Sequence, residues 1–169
     1  MFKYCPACRS ENISFDGLKL YACVKCGWSF YHNACSAVMA VLTLKDKILF
    51  TCRANDPAKD KLDLPGGFVD PGETAEEAIA REIGEELSLK NINYIYLGSA
   101  VNSYKYNNIS YPTCDMIYHA EIKEPPAEIQ LSEIKDVVFL SLNEINDDEI
   151  SFPSVKKAIE LYLKMIKTL

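Results

Sequence analysis

The sequence predicts a mixed α/β or α+β sandwich with a small metal-stapled module in front of it. Three observations carry this. Strand-like apolar runs outnumber helical ones, and the two helical patterns are dispersed among them rather than gathered at one end. Four of the seven cysteines stand as two C-x-x-C pairs near the start of the chain. The 169 residues suit one mid-sized domain with an appendage, divided as 1–34 and 35–169.

The appendage comes first. Cys5-Pro-Ala-Cys8 and Cys23-Val-Lys-Cys26 are separated by fourteen residues. Each pair forms a knuckle aiming two thiolates at one point, and two knuckles make a tetrahedral sulfur set suited to structural Zn²⁺. The stretch NISFDGLKLYAC between them alternates around an Asp-Gly turn and reads as a small hairpin. About thirty residues cannot bury enough apolar surface, so metal ligation would supply the folding energy. A zinc with four protein ligands has no open position and no catalytic role. Cys35, Cys52 and Cys114 are left, and the last two read as small buried hydrophobes.

In the main domain Ser36–Leu44 and Lys47–Arg53 are short apolar runs joined by a polar turn, a strand pair. A polar loop and the stiff LPGGFVDPGE follow. Thr74–Leu87 is a helix: Thr74 caps it, Glu77 completes a capping box, and Ala75, Ile79, Ile83 and Leu87 form one apolar stripe. Tyr94–Ala100 and Thr113–Ile122 read as strands flanking the tyrosine-rich NSYKYNNISY, and Val137–Leu142 as another. Ser154–Leu169 is an amphipathic closing helix.

Bulk properties narrow the function. The net charge of −6 leaves no basic footprint for nucleic acid. The opening MFKYCPACRSENISF has no apolar segment after a basic start, and the longest apolar run is too short to span a bilayer. The expectation is a cytoplasmic protein whose thiols are reduced or metal-bound and which has no membrane partner.

The chemistry concentrates in the first long helix. Glu82, Glu85 and Glu86 are spaced i, i+3, i+4 and project from one face. Three such charges repel unless something positive sits among them, and Arg81, next in sequence, points about 100° away. Mg²⁺ or Mn²⁺ is the natural guest for clustered carboxylates. A solvated acidic face is the competing reading of that geometry.

The spacing Gly67-x5-Glu73-x7-Arg81-Glu82-Ile83-x-Glu85-Glu86-x-Ser88-Leu89 resembles the signature of the Nudix hydrolases, G-x5-E-x7-R-E-U-x-E-E-x-G-U with U aliphatic. The departure is Ser88, where the family has glycine. The resemblance implies an α/β/α sandwich with a mixed sheet, and hydrolysis of a nucleoside diphosphate linked to another moiety X. It implies Glu82, Glu86 and Glu85 as ligands of Mg²⁺ or Mn²⁺, with the Gly66 carbonyl completing the set. Glu85 is alternatively a proton acceptor, and Arg81 braces the loop through Glu73. A later-loop glutamate often assists; Glu133 matches that place, with Glu121, Glu124 and Glu128 as competitors. Arg53, Phe68 and Tyr104 are candidates to line the substrate pocket.

A zinc ribbon before this box resembles a shortened bacterial NADH pyrophosphatase. The specificity segment of those enzymes, SQPWPFP-x-S, is replaced here by Ser99-Ala-Val-Asn-Ser-Tyr-Lys-Tyr106. The expected substrate is therefore a dinucleotide or ADP-sugar such as NAD(H) or ADP-ribose. A (modified) nucleoside triphosphate, and a non-catalytic nucleotide- or RNA-binding module, are the alternatives. The resemblance also suggests a homodimer.

Overall fold

A computed structural model describes residues 2–107 and 109–168. The chain separates into two compact units, Met1–Ala34 and Cys35–Leu169.

The first unit is an antiparallel meander of β1 (Ile13–Phe15), β2 (Leu20–Cys23) and β3 (Ser29–Tyr31). Asp16 closes the β1–β2 turn: its Oδ1 accepts the amides of Leu18, Lys19 and Leu20 at 2.7, 2.8 and 3.0 Å. That side-chain bonding is why Asp-Gly marks a turn. The two cysteine knuckles repeat one backbone pattern. Arg9 N–H donates to the Cys5 carbonyl at 2.8 Å, and Gly27 N–H to the Cys23 carbonyl at 2.9 Å. Both residues after the knuckles have positive φ, 58° and 76°. Buried hydrophobic residues among those described here are only Cys5, Tyr21 and Cys23. A core of two thiols and one ring cannot hold such a unit alone.

The second unit is a seven-stranded mixed sheet between two helices. Strands β4 (Cys35–Leu44), β5 (Lys47–Arg53), β8 (Ile95–Tyr106), β9 (Ile109–Glu121) and β10 (Ile134–Leu140) run in the order β10-β5-β4-β9-β8. The short β6 (Leu62–Asp63) pairs with β5, and β7 (Gly66–Phe68) pairs with β4. Only β4 and β9 are parallel; the other pairs are antiparallel. Helix α1 (Ala75–Leu87) covers one face and α2 (Pro153–Ile166) the other.

Strand β4 shows why its sequence reads as an unbroken apolar run. Val38, Ala40 and Leu42 pack with Ile79 and Ile83 of α1, while Met39 and Val41 pack with Val155 and Ala158 of α2. A strand covered on both faces has no polar side to show. The capping box is present: Glu77 N–H donates to Thr74 Oγ1 at 3.2 Å, and Thr74 N–H to Glu77 Oε2 at 2.8 Å.

Three differences from the sequence reading stand out. The tyrosine-rich segment belongs to the strands, so β8 and β9 form one long hairpin registered from Ile95↔His119 to Tyr106↔Ile109. In its outer half Asn102, Tyr104 and Tyr111 are half-buried while Val101, Ser103 and Lys105 are exposed, so polar and tyrosine side chains face inward and no apolar alternation marks the strands. Gly66–Phe68 of the stiff loop is also strand, because β4 leaves a free edge beyond its pairing with β5 that β7 fills. A third strand in the first unit, β3, was likewise not legible. Among the described residues, no helix is long and apolar enough to cross a membrane.

Candidate active site

The carboxylates meet where β7 passes under α1. Glu86, on the inner face of α1, is only 7% exposed. Its Oε2 accepts the Gly66 amide at 3.0 Å. Backbone leaves no room for a larger residue at Gly66, and at Gly67 a larger residue would push on the Glu82 side chain. Gly66 has φ +145°, and a Cβ on it would stand 2.1 Å from the Val38 carbonyl oxygen of β4. A Cβ on Gly67 would stand 2.4 Å from Glu82 Oε1. The Gly-Gly pair therefore lets β7 pair with β4 while Glu82 and Glu86 of α1 pack directly onto its backbone.

Glu133 arrives from the far side. The Glu86 carbonyl accepts the Gln130 amide at 2.9 Å, and the Glu133 carbonyl accepts the Ala54 amide at 3.0 Å. Asn55 Nδ2 adds a bond to the Ser132 carbonyl at 2.7 Å. The loop is thus tied to the end of α1 and to the end of β5. Glu133 lines one cavity of about 710 Å³ with Glu82, Glu85 and Glu86. Glu121 and Glu124 line a separate cavity, and Glu128 a third.

Arg81 departs from the sequence expectation. It does not point away from the glutamates: its Nη1 lies 2.9 Å from Glu82 Oε1 and 3.2 Å from Glu85 Oε2. The long side chain folds back along the helix to the residue one turn on, a reach that Cα angles alone do not convey. Its Nε and Nη2 also hold both oxygens of Glu73, at 2.9 and 3.0 Å, and Nη2 bonds the Phe68 carbonyl at 3.1 Å. The fork thereby fixes the loop between β7 and α1.

The electrostatics are lopsided. The cavity is lined by Asp56, Asp63, Asp70, Glu82, Glu85, Glu86 and Glu133, against Arg53 and Arg81. Burial pushes the Glu86 carboxyl up to about 8; the Gly66 amide opposes this, and the charges of Glu82, Asp63 and Glu133 add to it. Burial likewise raises Glu82, against the pull of Arg81. Asp63, on β6, is raised by burial although Arg53 Nη1 sits 2.7 Å from its Oδ2. Asp63 was missed in the sequence, where nothing sets it apart from other loop acids. Seven carboxylates around two guanidiniums supply the oxygen chemistry that hard divalent cations take, although among the described residues only the four cysteines of the first unit already stand close enough together to hold an ion.

The substrate-side residues also converge. The Phe68 and Tyr104 rings meet edge to face at 5.8 Å, and Phe152 lies 6.0 Å from Tyr104. Arg53 stacks over Phe152 at 5.1 Å and Tyr104 at 6.0 Å. Two of its nitrogens are engaged, with Nε donating to the Pro57 carbonyl and Nη1 to Asp63, both at 2.7 Å. Phe152, just before α2, was not singled out from the sequence.

In the first unit the four thiol sulfurs of Cys5, Cys8, Cys23 and Cys26 all lie within 4.8 Å of one another. Cys5–Cys26 and Cys8–Cys23 are both 3.7 Å apart. A tetrahedron with Zn–S bonds of about 2.3 Å has sulfur–sulfur edges of about 3.8 Å, so the thiols fit zinc.

A family model described as NUDIX domain matches residues 34–161. The chain belongs to the Nudix family. It is 26% identical over 168 residues to the NAD-capped RNA hydrolase NudC of Pseudomonas aeruginosa, covering 95% of this chain and 55% of that protein. It thus spans about half the length of the curated relatives it matches in this way. Over 62 residues, 37% of each chain, it is 45% identical to the ADP-ribose pyrophosphatase of Methanocaldococcus jannaschii. A Nudix hydrolase structure from Nitrosomonas europaea superposes with TM-score 0.66 at 26% identity, covering 96% of this chain and 91% of that one. The Nudix box here runs through β7, the braced loop and α1. Its one departing letter, Ser88, is the C-cap of α1 with φ 55° and ψ 21°, the left-handed conformation that glycine adopts without strain.

Proposed function

We propose that the chain hydrolyses the diphosphate bond of a nucleoside diphosphate linked to a second moiety, with Mg²⁺ or Mn²⁺ as cofactor. The observation that carries this is the excess of carboxylates around the buried Glu86, which calls for cations where a diphosphate would lie. Glu82, Glu86, Glu85 and the Gly66 carbonyl would hold the divalent ions. When bound, such an ion neutralises phosphate charge and lowers the pKa of water.

The residues of the chain do the rest. Arg81 keeps Glu73 through two bonds, so the loop would stay braced with Glu82 and Glu85 holding an ion instead of Arg81. Glu133 or Glu85 takes the proton as water oxygen adds to phosphorus. The bridging P–O bond breaks, and its electrons leave on the departing phosphate. Phe68, Tyr104 and Phe152 offer faces against which a base or sugar can lie. Relatives named for NAD-capped RNA and for ADP-ribose favour a dinucleotide or ADP-sugar as substrate. A structural zinc on four thiols fits the reducing cytoplasm in which such nucleotides are found.

The test is turnover of NADH, NAD⁺, ADP-ribose, diadenosine polyphosphates and nucleoside triphosphates with Mg²⁺ or Mn²⁺, reading AMP, NMN and pyrophosphate. AMP released from a dinucleotide or ADP-sugar, abolished by chelator, is expected. Pyrophosphate released mainly from triphosphates replaces this substrate class with the nucleoside triphosphates. No hydrolysis of any of them overturns the reading.

A further inference from the structure

Beside the carboxylate site, on the α2 face of the sheet, lies a second cavity of about 90 Å³. The two share Arg53, Asp63, Gly66 and Tyr104 as walls, so they adjoin. The floor of the smaller one is polar and buried. Thr113, Asp115 and Ser154 all line it and are only 4%, 3% and 0% exposed.

These groups are under-used by the fold. Thr113 and Asp115 are two apart on β9 and share a face. Thr113 Oγ1 donates to Asp115 Oδ1 at 2.6 Å. Among the described residues that is the sole hydrogen bond of the Asp115 side chain, although a carboxylate accepts about four. Ser154, the second residue of α2, has a buried Oγ with no partner among the described residues. Buried polar groups are normally satisfied, so an unpartnered hydroxyl and a carboxylate with spare acceptor capacity, both lining a cavity beside the carboxylate site, mark a place for a ligand. The carboxylate excludes an anion there. It calls for an N–H donor, and Ser154 can offer its hydroxyl proton to an adjacent acceptor. The aromatic wall of Tyr104 and Phe152 suits a flat ring.

We propose that this cavity reads the amino edge of a nucleobase: Asp115 accepts the exocyclic N–H, and Ser154 donates to the neighbouring ring nitrogen. Adenine presents that donor beside that acceptor, as does cytosine. Hypoxanthine presents the reverse, with its carbonyl lone pairs turned to the carboxylate. The assignment rests on the hydrolase reading of the adjoining site and deepens it by naming the base.

Nucleosides test it without phosphate or metal. Adenosine and inosine are titrated into the full chain and followed by NMR chemical shifts, for the wild type, Asp115→Asn and Ser154→Ala. The wild type should favour adenosine by about tenfold or more, as sites built around buried hydrogen-bonding groups do. Asp115→Asn, whose amide can donate, should erase or reverse the preference, and Ser154→Ala should shrink it several-fold. Should Asp115→Asn fail to fold, Ser154→Ala decides alone. Equal binding of the two nucleosides, binding of neither, or a preference untouched by the folded variants overturns the subsite. Adenosine preference in a protein that hydrolyses nothing defeats only the hydrolase reading, and hydrolysis without base preference defeats only this one.

Discussion

A carboxylate 7% exposed, with one amide on it and three acidic neighbours, is a poor choice for stability and a good one for holding a cation. Glu86→Gln separates the two. The amide keeps the shape and can still accept the Gly66 N–H, but it cannot ionise to hold a cation. Its kcat should fall about 10³-fold, the scale of losing transition-state charge stabilisation. The metal-free variant should melt no lower than wild type, and added Mg²⁺ should raise its melting temperature less. Calorimetry beside steady-state turnover checks both; undiminished kcat would remove Glu86 from the mechanism. Gly67 makes a steric case of the same site. A Cβ there would press to 2.4 Å from Glu82 Oε1. Gly67→Ala must therefore displace that carboxylate, and the Mg²⁺ concentration for half-maximal activity should rise about 10- to 100-fold, as for lost positioning around a metal. A metal dependence identical to wild type would mean Glu82 is no ligand.

At the scale of elements, α1 was readable because its cues are local: the capping box, a four-residue apolar stripe and the glutamate spacing all sit within one stretch of chain. Even its departure from the family pattern has a measurable cost. Ser88 holds a left-handed cap that strains a residue with a Cβ. Ser88→Gly should relieve it and stabilise by about 0.5–1 kcal/mol, seen as a higher urea midpoint at unchanged slope. A lower midpoint would mean that the Ser88 side chain contributes something the cap geometry does not reveal. Elements that depend on distant partners were not readable. β7 is strand only because β4 offers an edge, and the outer β8–β9 hairpin only because two polar segments pair with each other. Asp63, Thr113 and Asp115 escaped notice for the same reason. Each looks like any polar residue in its own segment, and only the sheet places it at a cavity. Arg81 is the converse: its position was legible, but its side-chain path was not.

At the scale of the molecule, the two units draw stability from different sources. Cys35–Leu169 has two apolar cores, one under each helix, built from its own residues. Among the described residues of Met1–Ala34 the buried hydrophobic ones are two cysteines and a tyrosine, so a metal held by the four thiols would supply most of its folding energy. Cys5→Ser combined with Cys8→Ser removes one knuckle and leaves the other intact. Elemental analysis should then fall from about one zinc per chain to near none, as two thiolates cannot close a four-ligand site. Amide exchange should lose protection over β1–β3 while β4, β5 and β9 keep theirs, because their hydrogen bonds lie under apolar cores that contain no thiol of the cluster. Protection retained in β1–β3 at zero zinc would mean that the aromatic contacts of Phe2 with Tyr21, Trp28 and Phe30 suffice to hold the ribbon, and that the thiols converge without need of a metal.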